Sequence, residues 1–251
     1  MKKLCFLLLL VPFLSPAQVG SWSERNKELV DSLRANQSVN SALYYTEFIT
    51  AATTASPPFV GAAVSSGTSA VNTTNQTSER AGVLRLTSST TANGGYKWST
   101  DVTTYRIHAG DVVECAIAPV NFSTTTFRAG FLDATTSADA VDGVYFEYNT
   151  SGALLLKTSK NSTRTTSSTI TTLSLNTWYK LRITINSDAT AAYGDVFDAS
   201  GAFIAGISVN TNIPTAAGRE CGIGVIATES TTTATAMVDL DYIYARLKFT
   251  R

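Results

Sequence analysis

The chain has 251 residues, of which only 15% are charged, and its 19 basic and 19 acidic side chains leave a formal net charge of zero. That balance provides no electrostatic footprint for a nucleic-acid backbone, and without a basic cluster there is nothing to draw the chain to an anionic membrane surface. The length suffices for one sizeable β domain or two small ones.

In chain order, residues 1–18 read as a secretory leader. Lys2 and Lys3 precede an apolar run of about a dozen residues, too short to span a bilayer, which closes on small residues at Ala17. The expected location is therefore extracellular, secreted or on a surface, with no stable membrane span in the mature chain. Residues 19–40 predict one short helix or stem. Ser21 and Glu24 have the spacing of a capping box, and Trp22, Leu29 and Leu33 recur near helical period. The helix should end near Asn36 and either pack on the rest of the chain or bundle with copies of itself, which admits a homo-oligomer.

From residue 41 onward the pattern changes to short alternating runs. Strands are expected at Leu43–Thr50, Phe59–Val64, Ser69–Val71, Ala81–Thr87 and Gly95–Ser99, the last two joined by the turn signal Asn93-Gly94. Further strands are expected at Asp111–Ala118, Phe127–Leu132, Gly143–Tyr148, Leu154–Thr158, Trp178–Ile185, Gly194–Phe197, Phe203–Val209, Gly222–Ala227 and Ala236–Leu247. The clearest stretch lies between Asp142 and Asn186. Val144, Phe146 and Tyr148 share one face, Tyr145 and Glu147 the other; Tyr179, Leu181, Ile183 and Ile185 share a face opposite Lys180, Arg182 and Thr184. More than a dozen short strands without an internal linker predict one all-β domain over 41–251, a two-sheet antiparallel jelly-roll sandwich. Ser and Thr runs such as 165–172 supply solubility through hydroxyls in place of charge.

Of three cysteines, Cys5 lies in the leader. Cys115 and Cys221 have apolar same-face neighbours, so they are either two buried thiols or, in an exported chain, a disulfide. With no C-x-x-C and a single histidine, no zinc site is expected.

The segments G-D-V-V-E-C, A-G-F-L-D, D-G-V-Y-F-E-Y, N-T-W-Y-K-L-R-I-T-I, N-I-P-T-A-A-G-R-E and V-D-L-D-Y-I-Y-A-R-L together resemble the concanavalin A-like (laminin-G-like) jelly rolls. The likeness spans roughly residues 41–249. It is closest to the versions found in bacteriophage structural and fibre proteins, whose first half L-R-L-T-S-S-T-T-A-N-G-G-Y also resembles. The resemblance implies a structural or adhesive protein of a virion or cell surface whose partners are glycans or other subunits.

Jelly rolls of this shape also include glycanases with an E-x-D-x-x-E strand and lyases with a Q-x-H strand. The nearest stretches here are Val238–Tyr244, where Asp239 and Asp241 would share a strand face about 7 Å apart, and Arg106-Ile107-His108. Ile243 or Tyr244 stands where an acid/base would be needed, and Arg106 replaces the glutamine. No catalytic residue is assigned, and a secreted polysaccharide-degrading enzyme is the alternative function. The candidate glycan contacts are the outward Glu114, Arg128, Tyr145, Glu147, Lys180 and Arg182, with Tyr96 and Trp98 beside Asn93-Gly94-Gly95 as a second group. Such a surface could equally be a solvated sheet face with cross-strand ion pairs. No cofactor is assigned. Calcium is the one ion the fold would admit, at Asp133, Asp139 and Asp142, although these lack a ligand spacing.

Overall fold

The structure is a computed structural model, and it describes residues 41–47, 55–56, 59–71, 82–88, 90–122, 125–229, 235 and 237–248. The leader at 1–18 and the helix expected at 19–40 lie outside the described residues. Seventeen strands occur among the described ones: β1 (Ser41–Glu47), β2 (Ala55–Ser56), β3 (Phe59–Val64), β4 (Thr68–Val71), β5 (Leu84–Thr87), β6 (Gly95–Ser99), β7 (Val112–Asn121), β8 (Thr125–Leu132), β9 (Gly143–Tyr148), β10 (Ala153–Lys160), β11 (Thr163–Thr166), β12 (Thr171–Thr172), β13 (Tyr179–Ile185), β14 (Ala192–Asp198), β15 (Phe203–Val209), β16 (Gly222–Glu229) and β17 (Met237–Lys248).

The strands form two antiparallel sheets. Sheet A runs β15-β14-β13-β7-β17-β5-β4, with β1 also on β17. Sheet B runs β11-β10-β9-β8-β16-β6-β3-β2, with β12 on β10. This is the jelly-roll sandwich that the period-two patterning predicts. The inward residues of both sheets make one core in which Trp98, Phe127, Phe131, Phe146, Leu181 and Ile183 are almost wholly buried. Phe127 stacks on Tyr148 at 4.9 Å between ring centroids, and Phe122 meets the same ring edge-on at 5.4 Å.

Two glycines set how closely the layers approach. In β8, Gly130 has φ +141°, and a Cβ there would fall 2.5 Å from the Val144 carbonyl oxygen and 2.7 Å from Ile183 Cδ1. In β14, a Cβ on Gly194 would fall 2.9 Å from Phe146 Cε1, so the glycine leaves the space that a ring of the opposite sheet fills.

The structure adds to the sequence reading at one turn and departs from it at two other places. Asn93-Gly94 does form a turn, with the Gly94 N–H donating to the Thr91 carbonyl. It carries the chain from β5 in sheet A to β6 in sheet B, however, and so crosses between layers. The strict alternation expected along β17 breaks at a bulge between Leu240 and Tyr242, so that Leu240 and Ile243 both enter the core. Asp239 and Asp241 therefore do not sit on a regular two-residue repeat. The edge strands β11 and β12 were not predicted, because their threonines show no apolar alternation. Cys115 and Cys221 are buried free thiols, one on β7 in sheet A and one bridged to Tyr105 at the entry to sheet B.

Asp111 fastens the end of the long central strand. One carboxylate oxygen accepts from the Lys248 N–H at 2.6 Å and the other from the His108 N–H at 2.7 Å. Burial nevertheless outweighs these bonds and raises its pKa from 3.8 to about 6. Between those values the folded chain holds the proton more tightly than the unfolded chain, so this group's contribution to stability is complete below pH 4 and declines as pH rises through 6. In urea unfolding, the stability advantage of the native chain over Asp111→Asn should shrink by roughly 2 kcal/mol from pH 4.5 to pH 7.5. A difference that stays constant across that range would rule out a displaced Asp111 titration.

Candidate functional site

The outward residues singled out in the sequence do not form one surface. Pairing places Glu114 (β7), Lys180 and Arg182 (β13) on the outer face of sheet A, and Arg128 (β8), Tyr145 and Glu147 (β9) on the outer face of sheet B, on opposite sides of the molecule. Tyr96 and Trp98 join neither group. Both point into the core from β6, with Trp98 wholly buried, so they are packing residues and not a surface platform.

On sheet B the outer face is covered over β8 and β9. The segment between β8 and β9, residues 133–142, folds back across it. Ala140 of this segment, with Ala134 beside it, packs against Val64, Leu132, Tyr145 and Ile226 in a second small apolar cluster. Arg128 pins the segment. Its Nε donates to Glu147 Oε2 at 2.8 Å, Nη1 donates to the carbonyls of Ser137 and Ala138 at 2.9 and 3.1 Å, and Nη2 donates to Asp139 Oδ1 at 2.8 Å. Lys157 completes the group at 2.7 Å from Glu147 Oε1. Burial acts to raise the Asp139 pKa, but Arg128, Lys157 and Arg164 together hold it below the usual carboxylate range. Tyr145, expected as an outward aromatic platform, lies fully buried under this cover. Its hydroxyl has no partner among the described residues, and burial first, then the Asp139 charge, pushes its pKa up.

This network also decides the calcium question. Asp133 accepts from the Val141 and Asp142 N–H groups at 2.9 and 2.8 Å, Asp139 faces three cations, and Asp142 binds Arg219 and the Asn161 N–H. The three carboxylates turn to different partners, and among the described residues no set of three ligating side chains gathers. A calcium ion needs six or more converging oxygens, whereas here Asp139 is turned to Arg128, and Asp133 and Asp142 are turned to backbone N–H groups and Arg219, so as placed these residues do not fit the ion.

Nor does β17 present a catalytic pair. Asp239 is fully buried, with both oxygens on Arg85: Nε at 2.7 Å and Nη2 at 2.8 Å. Asp241 is also buried. His108 sits half-buried just before the turn at 109–110, its pKa lowered by burial and then by Arg106.

Sheet A, by contrast, is open over β13–β15. The register aligns Asp195, Arg182 and Glu114 in one row across β14, β13 and β7. Arg182 Nε donates to Glu114 Oε2 at 2.6 Å, and the Tyr242 hydroxyl donates to the other oxygen, Oε1. Lys180 stands 3.9 Å from that same oxygen. Burial raises the Asp195 pKa against the pull of Arg182. The Arg182 guanidinium also lies over the Phe197 ring, 5.1 Å from its centroid. Phe203 meets Phe197 edge-on at 5.8 Å, and Tyr193 flanks the row on the same face. Phe203 is 62% exposed and Tyr193 44%. Sequence reasoning missed these rings, because a phenylalanine in an alternating run reads as core. Only the parity of Phe197 against Val196, which faces inward, could have marked it as outward.

Comparison with known proteins places the chain within this architecture. No curated protein matches it in sequence. Among solved structures, a protein of unknown function, SO2946 from Shewanella oneidensis MR-1, aligns with a TM-score of 0.69 at 18% identity, covering 84% of this chain and 89% of that one. Peanut lectin aligns with a TM-score of 0.53 at 10% identity over 84% and 99% of the two chains. A prokaryotic β-1,3-1,4-glucanase from a mouse hindgut metagenome aligns at 0.51 and 8% identity over 81% and 98%. At these identities the likeness establishes the concanavalin A-like fold and nothing finer. The model of the family described as "SO2946-like, C-terminal domain" matches residues 79–241, well over half of the chain, and the chain belongs to that family.

Proposed function

We propose that this chain is a non-enzymatic adhesion protein, exported and carried on the outside of a cell or of a phage particle, that holds glycans against the open face of sheet A. The observation that carries the reading is the outward Asp195 and Arg182, with the buried Glu114 holding Arg182 from behind, beside the exposed rings of Phe203 and Tyr193. Sugars have apolar ring faces and a rim of hydroxyls. Aromatic side chains take the former, and carboxylate and guanidinium groups take the latter. The lectin-like fold supports this reading at the level of architecture. The burial of Asp239 against Arg85 supports a binding role over hydrolysis, since that carboxylate is already committed. An open, nearly flat face gives weak single contacts, and display in many copies would raise them through avidity.

A glycan array probed with the chain displayed multivalently tests the proposal. Positive spots should fade at least about tenfold for Phe203→Ala, which alters an exposed side chain with little expected loss of stability, and for Arg182→Ala, which also takes a cation from the buried Glu114 and is therefore probed well below its melting temperature. A blank array, with capture of a surface or virion subunit in its place, would replace the glycan by a protein partner. Release of reducing ends from a polysaccharide panel, abolished by Asp241→Asn, would establish the enzymatic alternative.

A further inference from the structure

We propose that β15 is a self-association edge, on which two copies of this chain pair antiparallel around a two-fold axis at Ile207. The inference is independent of the glycan reading.

β15 ends sheet A, and among the described residues β14 is the only strand it pairs with. Its far side therefore presents backbone donors and acceptors that only another strand can satisfy in series. The two sheets treat their edges differently. At the end of sheet B, β11 has four residues, mostly threonine, with Arg164 tied to the Asp139 network. β15 has seven residues, and from Phe203 to Ile213 the sequence F-I-A-G-I-S-V-N-T-N-I carries no charge and no proline. It thus lacks two of the usual devices that keep an edge solitary. Its apolar residues are open as well: Phe203 is 62% exposed, Ile204 42%, and Ala205 and Ile207 are only partly buried although they point inward.

The sequence of the edge selects a second copy as the occupant. The bulge where Val196 gives way to Phe197 confines regular pairing to Ala205–Val209. Centred on Ile207, that segment is self-complementary. Ala205 of one copy faces Val209 of the other, Ile207 faces Ile207, and Gly206 faces Ser208. Every inward residue stays inward, so the two cores become continuous, while only a glycine and a serine meet on the outer side. No like charges meet at the seam. The nearest carboxylate, Asp195, is one strand back beside Gly206. The two copies of it would be three strand spacings apart, about 14 Å, beyond a Debye length of about 8 Å, and each is balanced by its own Arg182. The formal net charge of zero adds no general repulsion. A contact built on one short strand and three small or mid-sized apolar side chains per copy is small, so the dimer should form in the micromolar range.

Sedimentation velocity on the full chain between about 1 and 200 µM, combined with amide exchange, tests this. A reversible monomer–dimer equilibrium is expected, with protection of the Ala205–Val209 amides that grows with concentration. Ile204→Lys/Ser208→Lys changes two exposed positions and should weaken the dimer at least tenfold while the melting temperature of the monomer is kept. Three results would overturn the proposal: a monomer at every concentration; a dimer indifferent to the double variant; or β15 amides protected equally at all dilutions, which would mean that another segment of the same chain covers the edge.

Discussion

Replacing Arg128 by methionine is expected to cost about 3–5 kcal/mol of unfolding free energy, the usual range for removing one partner of a buried ion network. Methionine keeps the apolar stem but forfeits four hydrogen bonds at once. Glu147 retains Lys157, and Asp139 retains only the longer contacts to Lys157 and Arg164, at 3.5 and 3.7 Å. The Ser137 and Ala138 carbonyls lose the guanidinium that joins them to the sheet. The effect should also be local. Amide exchange at Val141 and Asp142, whose N–H groups are held by Asp133, should speed up before the rest of sheet B does. Arg128→Lys should recover part of the loss, because it restores the charge without the planar fork that reaches four oxygens. Since the carboxylates of this segment are already turned to other partners, the wild-type melting temperature should shift by less than about 1 °C on adding EDTA or millimolar calcium. A loss below about 1 kcal/mol for Arg128→Met, or marked stabilisation by calcium, would show that something other than Arg128 organises the segment.

The second large effect is expected at the opposite sheet, and it should be asymmetric. Asp239 is fully buried, whereas the Arg85 side chain keeps 25% of its surface in solvent. Arg85→Met strips the buried carboxylate of the guanidinium that takes both its oxygens, and should cost about 3 kcal/mol or more. Asp239→Asn leaves a cation that can lean into water along its own flexible stem, and should cost about half as much. The double variant Arg85→Met/Asp239→Leu should lie closer to wild type than the sum of its parts, because it removes both charges together. Urea titrations of the four proteins read all three statements. Equal costs for the two single variants, or strict additivity in the double variant, would contradict the ion-pair account of β17. The same Asp239→Asn protein bears on function, because loss of hydrolysis with little loss of stability would mark this carboxylate as catalytic.

The layers were legible in the sequence because burial on one side of a strand writes a period of two. Leu181 and Ile183 opposite Lys180 and Arg182 is such a case, and the structure keeps that alternation along all of β13. The candidate surface was only half legible, because pairing is non-local. Arg128 and Glu147 lie 19 residues apart on adjacent strands, but Glu114 meets Arg182 across 68 residues, and nothing in either segment records which neighbours which. Outwardness alone therefore pooled residues from opposite faces. It also could not separate an outward residue that meets water from one that meets a covering segment. Asp133–Asp142 has the composition of a solvated loop, yet its Ala140 is fully buried over Tyr145. Phe203 errs in the other direction. Its chemistry says core, while its place at a sheet edge leaves it in solvent.

The two faces differ in a way that one titration can expose. With a glycan identified on the array, calorimetry on Arg182→Ala, Phe203→Ala and Tyr145→Phe compares them directly. Tyr145→Phe removes a hydroxyl that has no partner among the described residues, and it should leave affinity unchanged and stability equal or slightly higher. The two sheet A variants should each weaken binding at least about tenfold. Affinity lost in Tyr145→Phe and kept in Arg182→Ala and Phe203→Ala would move the site to sheet B and contradict the account.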